Sequence, residues 1–259
     1  MPRTEWQRYG RWLWLFFVVA AGAGTLAAGT AFVRAGNNAD WAAVVVAGDW
    51  HAHDGSPSEI FDNARRDVAA ALVNAGFKPA NIAEFSVRPE LYHSRHPLES
   101  DVRTIADTLA ELTERAPGGC LLYFTSHGTP SGLVLGETIL TPVRLDDIVS
   151  DICGERPSIV VVSACYSGVF VDALKGPNRM IVTAARRDRT SFGCGGTTRY
   201  PYFDACFLTA LDHGREFPVV ALATKRCVTQ LEERTRMSPP SEPQIFIGKQ
   251  IAVQLPTWR

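Results

Sequence analysis

Two short apolar runs, each ending in a chemically reactive side chain, constrain the fold of this chain most strongly. Residues 121–128 read LLYFTSHG, and residues 159–168 read IVVVSACYSG. Neither run alternates with polar residues, a pattern typical of central strands in a parallel sheet that is covered on both faces. Because the carboxyl ends of parallel strands meet at one edge of the sheet, we expect His127 and Cys165 to lie together there.

The rest of the chain alternates between strand and helix patterns, which predicts an α/β domain with a mostly parallel central sheet and helices on both faces. The 259 residues, of which 46% are apolar and 20% charged, suffice for one globular domain, which we place at 37–259. The net charge of −1 gives no broad basic face and therefore argues against a nucleic-acid partner. Further strands are predicted at 42–47, 82–87, 179–184 and 244–247, and helices at 58–75, 101–115, 141–152, 200–213 and 217–236.

The first 36 residues differ in character from the rest. Three arginines, at positions 3, 8 and 11, precede an uncharged run at 12–33. That run is long enough to cross a bilayer, and the preceding basic residues orient it with the amino terminus inside. We therefore expect a signal anchor that holds the domain outside the cytoplasmic membrane. Small residues near 27–31 also allow the alternative of a cleaved signal peptide and a secreted protein.

Six cysteines are present, and an exported protein can form disulfides. We interpret Cys120 and Cys206 as small buried apolar residues, and the pairing of the others stays open. The sequence has no C-x-x-C pair. The segment His51-Ala52-His53-Asp54 is not followed by further suitable ligands. We therefore predict neither a metal nor a cofactor, and assign this polar loop to the rim of the site.

A cysteine and a histidine at one sheet edge are the components of nucleophilic catalysis. A thiol in water has a pKa of about 8.5, and an imidazole with a pKa near 6.5 can accept its proton. The thiolate then attacks a peptide carbonyl, and backbone N–H groups stabilise the oxyanion that forms. We predict that Cys165 is the nucleophile, that His127 is the base and acid, and that the Gly128 and Cys165 amides are the oxyanion donors.

The segments Phe124-Thr125-Ser126-His127-Gly128 and Ser163-Ala164-Cys165-Tyr166-Ser167-Gly168 resemble the His and Cys boxes of the legumain, or haemoglobinase, cysteine peptidases. The two segments also resemble the corresponding boxes of the catalytic subunit of the GPI-anchor transamidase, which belongs to the same family. The resemblance extends from about residue 41 to beyond 204. It implies a caspase-like three-layer sandwich and hydrolysis of peptide bonds through a thioester.

The resemblance also implies roles for residues outside the two boxes. Asn63 would orient His127, and Arg65 would line the pocket for the residue before the scissile bond. Ser191 and Asp204 would contribute to substrate binding. Legumains carry an acidic residue where this chain has Ser163, so a pocket with Arg65 and without that carboxylate would be more positive and would accept Asn, Asp or another residue.

We therefore expect a cysteine endopeptidase that acts on peptide or protein substrates and contacts the membrane through its amino-terminal helix. Two alternatives remain open at this point. A transamidase would use the same residues, with an amine replacing water at the thioester. A membrane-tethered binding domain would have kept the fold without turnover.

Overall fold

A computed structural model describes residues 38–195 and 198–258. The predicted amino-terminal anchor at 1–36 lies outside these residues. Within the two described ranges, no helix combines the length and the apolar character that a bilayer crossing requires.

Seven strands form the central sheet in the order β10-β9-β8-β4-β1-β2-β3, and all neighbours are parallel except β9 and β10. The two motif strands, β4 and β8, are adjacent near the centre and are buried throughout. The α/β class and the parallel sheet are therefore as the sequence predicts. The strands of the described chain are β1 (Trp41–Ala47), β2 (Ile82–Ser86), β3 (Leu98–Glu99), β4 (Gly119–Thr125), β5 (Gly128–Thr129), β6 (Gly132–Leu135), β7 (Thr138–Leu140), β8 (Ser158–Ser163), β9 (Arg179–Thr183) and β10 (Gln244–Ile247).

Helices cover both faces of the sheet. The longer helices begin and end within about two residues of their predicted limits, and the predicted helix at 141–152 divides into α3 and a π-helical turn at Val149–Cys153. The sequence analysis missed the short helix α4, which directly follows the Cys165 motif. The helices are α1 (Ile60–Asn74), α2 (Val102–Arg115), α3 (Pro142–Ile148), α4 (Val169–Leu174), α5 (Tyr202–His213) and α6 (Phe217–Thr235).

Two apolar cores lie on opposite faces of the sheet. Successive residues of β4 alternate between them: Leu121 and Tyr123 face the core built with α1, α5 and α6, whereas Leu122 and Phe124 face the core built with α2, α3 and α4. A strand buried on both faces needs apolar residues at every position. This explains why the motif runs show no polar alternation.

Disulfides join elements on each side of the sheet. Cys120, at the start of β4, pairs with Cys153, and Cys206 of α5 pairs with Cys227 of α6. The interpretation of Cys120 and Cys206 as simple buried apolar residues is therefore wrong. Their partners lie 33 and 21 residues away in sequence, so only the tertiary fold brings each pair together. Cys165 and Cys194 are free thiols.

Candidate active site

The ends of β4 and β8 define the site. Thr125 pairs with Ser163 in parallel register, and the Ser126 amide donates a hydrogen bond to the Ser163 carbonyl at 3.1 Å. His127 and Cys165 each follow two residues beyond this last pair. Both line a single cleft of about 370 Å³, together with His53 and residues 190–195. The structure thus brings the imidazole and the thiol to the same open edge.

Gly128 lies directly against the Cys165 backbone. A Cβ added to Gly128 would lie 2.0 Å from the Cys165 carbonyl oxygen, so no other residue fits without a backbone shift. The preceding carbonyl, that of His127, accepts a hydrogen bond from the Val134 amide at 3.0 Å. In an antiparallel ladder this makes Gly128 and Leu133 a non-hydrogen-bonded pair, so the Gly128 N–H points away from β6. That amide is available to a ligand.

The His127 ring is held by two contacts. Its Nε2 lies 3.1 Å from the carbonyl oxygen of His51. Because a carbonyl oxygen can only accept, Nε2 carries the proton and Nδ1 is the basic nitrogen of the neutral ring. The second contact is with Phe61 of α1, whose ring packs edge-on against the imidazole, with the ring centroids 5.1 Å apart and an angle of 83° between the ring planes. These contacts fix both the tautomer and the plane of His127.

Cys165 lies at a sharp turn of the backbone. Tyr166, the next residue, has a φ of +57°, a left-handed conformation that non-glycine residues rarely adopt. The Tyr166 amide is held by the Arg189 carbonyl at 2.7 Å. The thiol sulfur accepts a hydrogen bond from the Ser191 amide at 3.3 Å and lies 3.6 Å from the Ser191 hydroxyl. An amide donor at this distance stabilises a thiolate.

Asn63 does not take the position expected of it. It lies in α1, where its side-chain oxygen accepts from Arg66 at 2.9 Å and its amide nitrogen is 3.4 Å from the Arg199 carbonyl. The residue bonded to His127 is instead His51, through its main chain. The assignment of Asn63 as the group that orients His127 is therefore corrected. A backbone carbonyl is present in every residue type, so no sequence pattern could indicate this contact.

The prediction that Arg65 lines the substrate pocket is also wrong. Its side chain is fully buried and does not line the cleft. Its guanidinium bonds Asp62 at 2.8 Å and Glu84 at 2.5 Å, and lies 5.0 Å from the centre of the Tyr92 ring. Arg65 therefore ties α1 to β2. The i,i+3 spacing from Asp62 was the available signal for this ion pair.

Asp204 and Ser163 form a buried cluster beneath the cleft. The Asp204 carboxylate accepts hydrogen bonds from Ser163 at 2.7 Å, from Thr125 at 3.1 Å and from the Tyr123 hydroxyl. Complete burial raises the pKa of Asp204 to about 6, although these donors act in the opposite direction. Neither Asp204 nor Ser163 lines the cleft. Their side chains join α5 to the tips of β4 and β8.

Of the remaining predicted residues, Ser191 lies in the cleft beside the Cys165 sulfur, as described above. Cys194 lines the same cleft, but burial raises the pKa of its thiol. A thiol kept protonated is a poor nucleophile. The chemistry therefore favours Cys165 over Cys194. Within the described ranges, no group of three or more His, Cys, Asp or Glu residues has the geometry of a metal site.

An imidazole and a thiol at adjacent strand ends, with the Gly128 amide next to them, are the components of a site for nucleophilic catalysis by cysteine. Comparison with known proteins agrees. Residues 100–216, which contain both motifs and Asp204, match the sequence model of the peptidase C13 family. This confirms the resemblance to the legumain family and supports cysteine peptidase activity.

The fold is similar to that in the crystal structure of caspase-1 from Spodoptera frugiperda. The TM-score is 0.60 at 16% identity, and the match covers 83% of this chain and 89% of that chain. At this identity the similarity concerns the fold alone, and it confirms the caspase-like α/β architecture. Comparison with curated proteins gives no match.

Proposed function

We propose that the protein is a cysteine endopeptidase that hydrolyses peptide bonds through a thioester on Cys165. One observation carries this proposal: His127 and Cys165 share an open cleft at the ends of two adjacent parallel strands. The family match of residues 100–216 supports the same reaction.

The geometry supports a specific role for each group. His127 Nδ1 accepts the thiol proton while Nε2–H stays bonded to the His51 carbonyl. The sulfur attacks the scissile carbonyl carbon, and the amides of Gly128 and Cys165 stabilise the oxyanion. The leaving amine takes the proton from Nδ1 as the C–N bond breaks. Water, deprotonated by the same nitrogen, then hydrolyses the thioester and frees the acid product and the thiol.

The preference for Asn or Asp before the scissile bond loses its physical basis, because the guanidinium that would select these side chains is buried elsewhere. The residue accepted there is to be identified by cleavage of a diverse peptide library. Adding a small amine to the same reaction distinguishes hydrolysis from transfer, since a transamidase would yield the amide instead of the acid.

We also propose that the domain works outside the cytoplasmic membrane, anchored by residues 12–33. The basic residues before that run give the orientation. The two disulfides support an oxidising compartment, where such bonds persist. A fusion of a compartment-sensitive reporter to the carboxyl terminus tests the orientation, and cleavage near 27–31 would show a secreted form instead.

The catalytic assignment is tested with the purified full-length protein and a thiol-reactive peptide probe. Mass spectrometry should find the probe on Cys165 and not on Cys194, whose thiol stays protonated. Labelling should be lost in His127→Ala and retained in His93→Ala, a matched removal of an exposed histidine. A wild-type protein that is not labelled and cleaves no peptide in the library would favour the non-catalytic binding domain.

A further inference from the structure

We propose that Asp49 is a positioning residue that aims the His51 carbonyl at His127. The inference rests on the proposed function, because it concerns the same imidazole. The chain of contacts runs from the Asp49 carboxylate to the amide and the ring of His51, and from the carbonyl of the same residue to His127 Nε2. Neither the two motifs nor the family resemblance pointed to Asp49.

One carboxylate oxygen organises the turn that follows β1. Oδ1 of Asp49 accepts hydrogen bonds from the Trp50 amide at 2.6 Å, from the His51 amide at 3.1 Å and from His51 Nδ1 at 2.7 Å. Two successive peptide units and one ring are therefore held by a single atom. These bonds hold the amide and the ring of His51. Its carbonyl belongs to the next peptide unit, whose Ala52 amide donates to the Ser56 carbonyl at 2.8 Å, so Asp49 positions the carbonyl from the amino-terminal side and Ser56 from the other.

The segment before Asp49 is rigidly attached to the strand that carries His127. The Gly48 amide donates to the Thr125 carbonyl at 3.0 Å, and the Gly48 carbonyl accepts from the Gly136 amide at 2.9 Å. A Cβ at Gly48 would lie 2.4 Å from the Val134 carbonyl oxygen, so the backbone approach there is close. Asp49 therefore follows a residue with a fixed main chain and lies two residues before His51, whose carbonyl contacts His127.

The surroundings of Asp49 protect its hydrogen bonds from water. Its side chain is 15% exposed. The Trp50 ring lies against the His51 ring, with centroids 3.8 Å apart. The Arg88 guanidinium carbon lies 4.5 Å from the centre of the Trp50 ring and covers it. Hydrogen bonds to an ionised, partly buried carboxylate are stronger than neutral ones. Without Asp49, the amides of Trp50 and His51 lose their acceptor and this turn can reorient.

The consequence for His127 is specific. Loss of the carbonyl acceptor removes the reason for the proton to stay on Nε2, so Nδ1 is protonated in a larger share of the neutral molecules. That tautomer cannot accept the thiol proton at Nδ1. A ring that is also free to rotate reduces the rate further, since a displacement of about 1 Å in a catalytic group can lower turnover about 100-fold.

The kinetic test compares variants of the full-length enzyme on the best peptide from the library. We expect Asp49→Ala to lower kcat by about 10- to 100-fold with KM within about threefold of wild type. Asp49→Asn keeps the Oδ1 acceptor and should recover most of that loss. Asp40→Ala is the control. Asp40 lies just before the start of β1, at the opposite end of that strand from Asp49, where its exposed carboxylate bonds Lys78 at 3.4 Å.

A spectroscopic test follows the His127 ring itself. With ¹⁵N-labelled histidine, the wild type should show His127 protonated at Nε2, whereas Asp49→Ala should show a mixture of both tautomers. Asp40→Ala should keep the wild-type pattern. If Asp49→Ala does not fold, Asp49→Glu replaces it, since the added methylene displaces the oxygen while the charge remains, and a mixed tautomer is again expected.

The proposal is overturned if Asp49→Ala keeps kcat within twofold of wild type, or if His127 keeps its Nε2 proton in that variant. It is also overturned if Asp40→Ala causes an equal loss, which would indicate a general loss of stability. The tautomer measurement needs no turnover. If the wild-type protein has no peptidase activity, the proposed function is wrong, but the tautomer measurement still tests whether Asp49 positions the His51 carbonyl.

Discussion

Replacing Asp204 by Asn should abolish one pH-dependent component of the stability of the fold. Asp204 is completely buried, and its pKa in the folded protein is about 6 compared with an ordinary value of 3.8. Below pH 3.8 the carboxyl is protonated in both the folded and the unfolded chain. Between pH 3.8 and 6 the unfolded chain loses this proton and the folded chain keeps it, so stability falls as the pH rises. Above pH 6 both states are ionised and the difference stays constant.

The size of the effect follows from the two pKa values. Each tenfold change in proton affinity is worth about 1.4 kcal/mol, so the interval from 3.8 to about 6 corresponds to about 3 kcal/mol. The free energy of unfolding of wild type, minus that of Asp204→Asn, should therefore drop by about 2.4 kcal/mol between pH 4 and pH 7, because the unfolded chain has already lost part of its proton at pH 4. Asn keeps one oxygen for the hydroxyl donors of Tyr123, Thr125 and Ser163 and carries no charge at any pH.

The assay is denaturant unfolding of the full-length protein at several pH values with the disulfides intact. Asp172→Asn is the control: this exposed carboxylate bonds Lys175, which lowers its pKa, so its removal should give a small change of opposite sign. A difference between wild type and Asp204→Asn that is flat, or that rises with pH, would refute the reasoning. It would mean that the hydrogen bonds from the three hydroxyl groups lower the pKa of Asp204 by more than its burial raises it.

In steady-state peptide cleavage, Gly128→Ala should lower kcat/KM by at least about 100-fold, because the new Cβ would lie 2.0 Å from the Cys165 carbonyl oxygen and displace an oxyanion donor. Gly176→Ala is the control and should match wild type, since its Cβ would lie no closer than 3.4 Å to any neighbouring atom. Near-normal turnover in Gly128→Ala would remove that amide from the mechanism. Arg65→Ala should lower the free energy of unfolding by about 3–5 kcal/mol, since it leaves Asp62 buried without its partner, whereas Arg66→Ala should cost less than about 1 kcal/mol. The cleavage preference of any folded Arg65→Ala enzyme should equal that of wild type, and an altered preference would return Arg65 to the substrate pocket.

Two of the residues whose predicted roles are wrong, Asn63 and Arg65, lie in α1. The apolar periodicity predicts that helix correctly, whereas the family resemblance places Arg65 in the substrate pocket and Asn63 beside His127. Arg65 is buried because Asp62 and Glu84 neutralise it from two different elements. Asn63 points instead toward Arg66 and the Arg199 carbonyl. Which charged side chain is buried depends on partners that periodicity does not reveal.

The sequence determined the central sheet and the meeting of His127 with Cys165. An uninterrupted apolar run is stable only where both faces are covered, and parallel strands so covered deliver their following residues to one edge. The tertiary structure decided what surrounds that pair. The His51 carbonyl comes from the loop after β1, the Phe61 ring from α1, and the Asp204 cluster beneath the cleft from α5. Such contacts arise from the packing of distant segments and not from any local pattern. The disulfides have the same origin, since each links cysteines whose separation in sequence gives no indication of their distance in space.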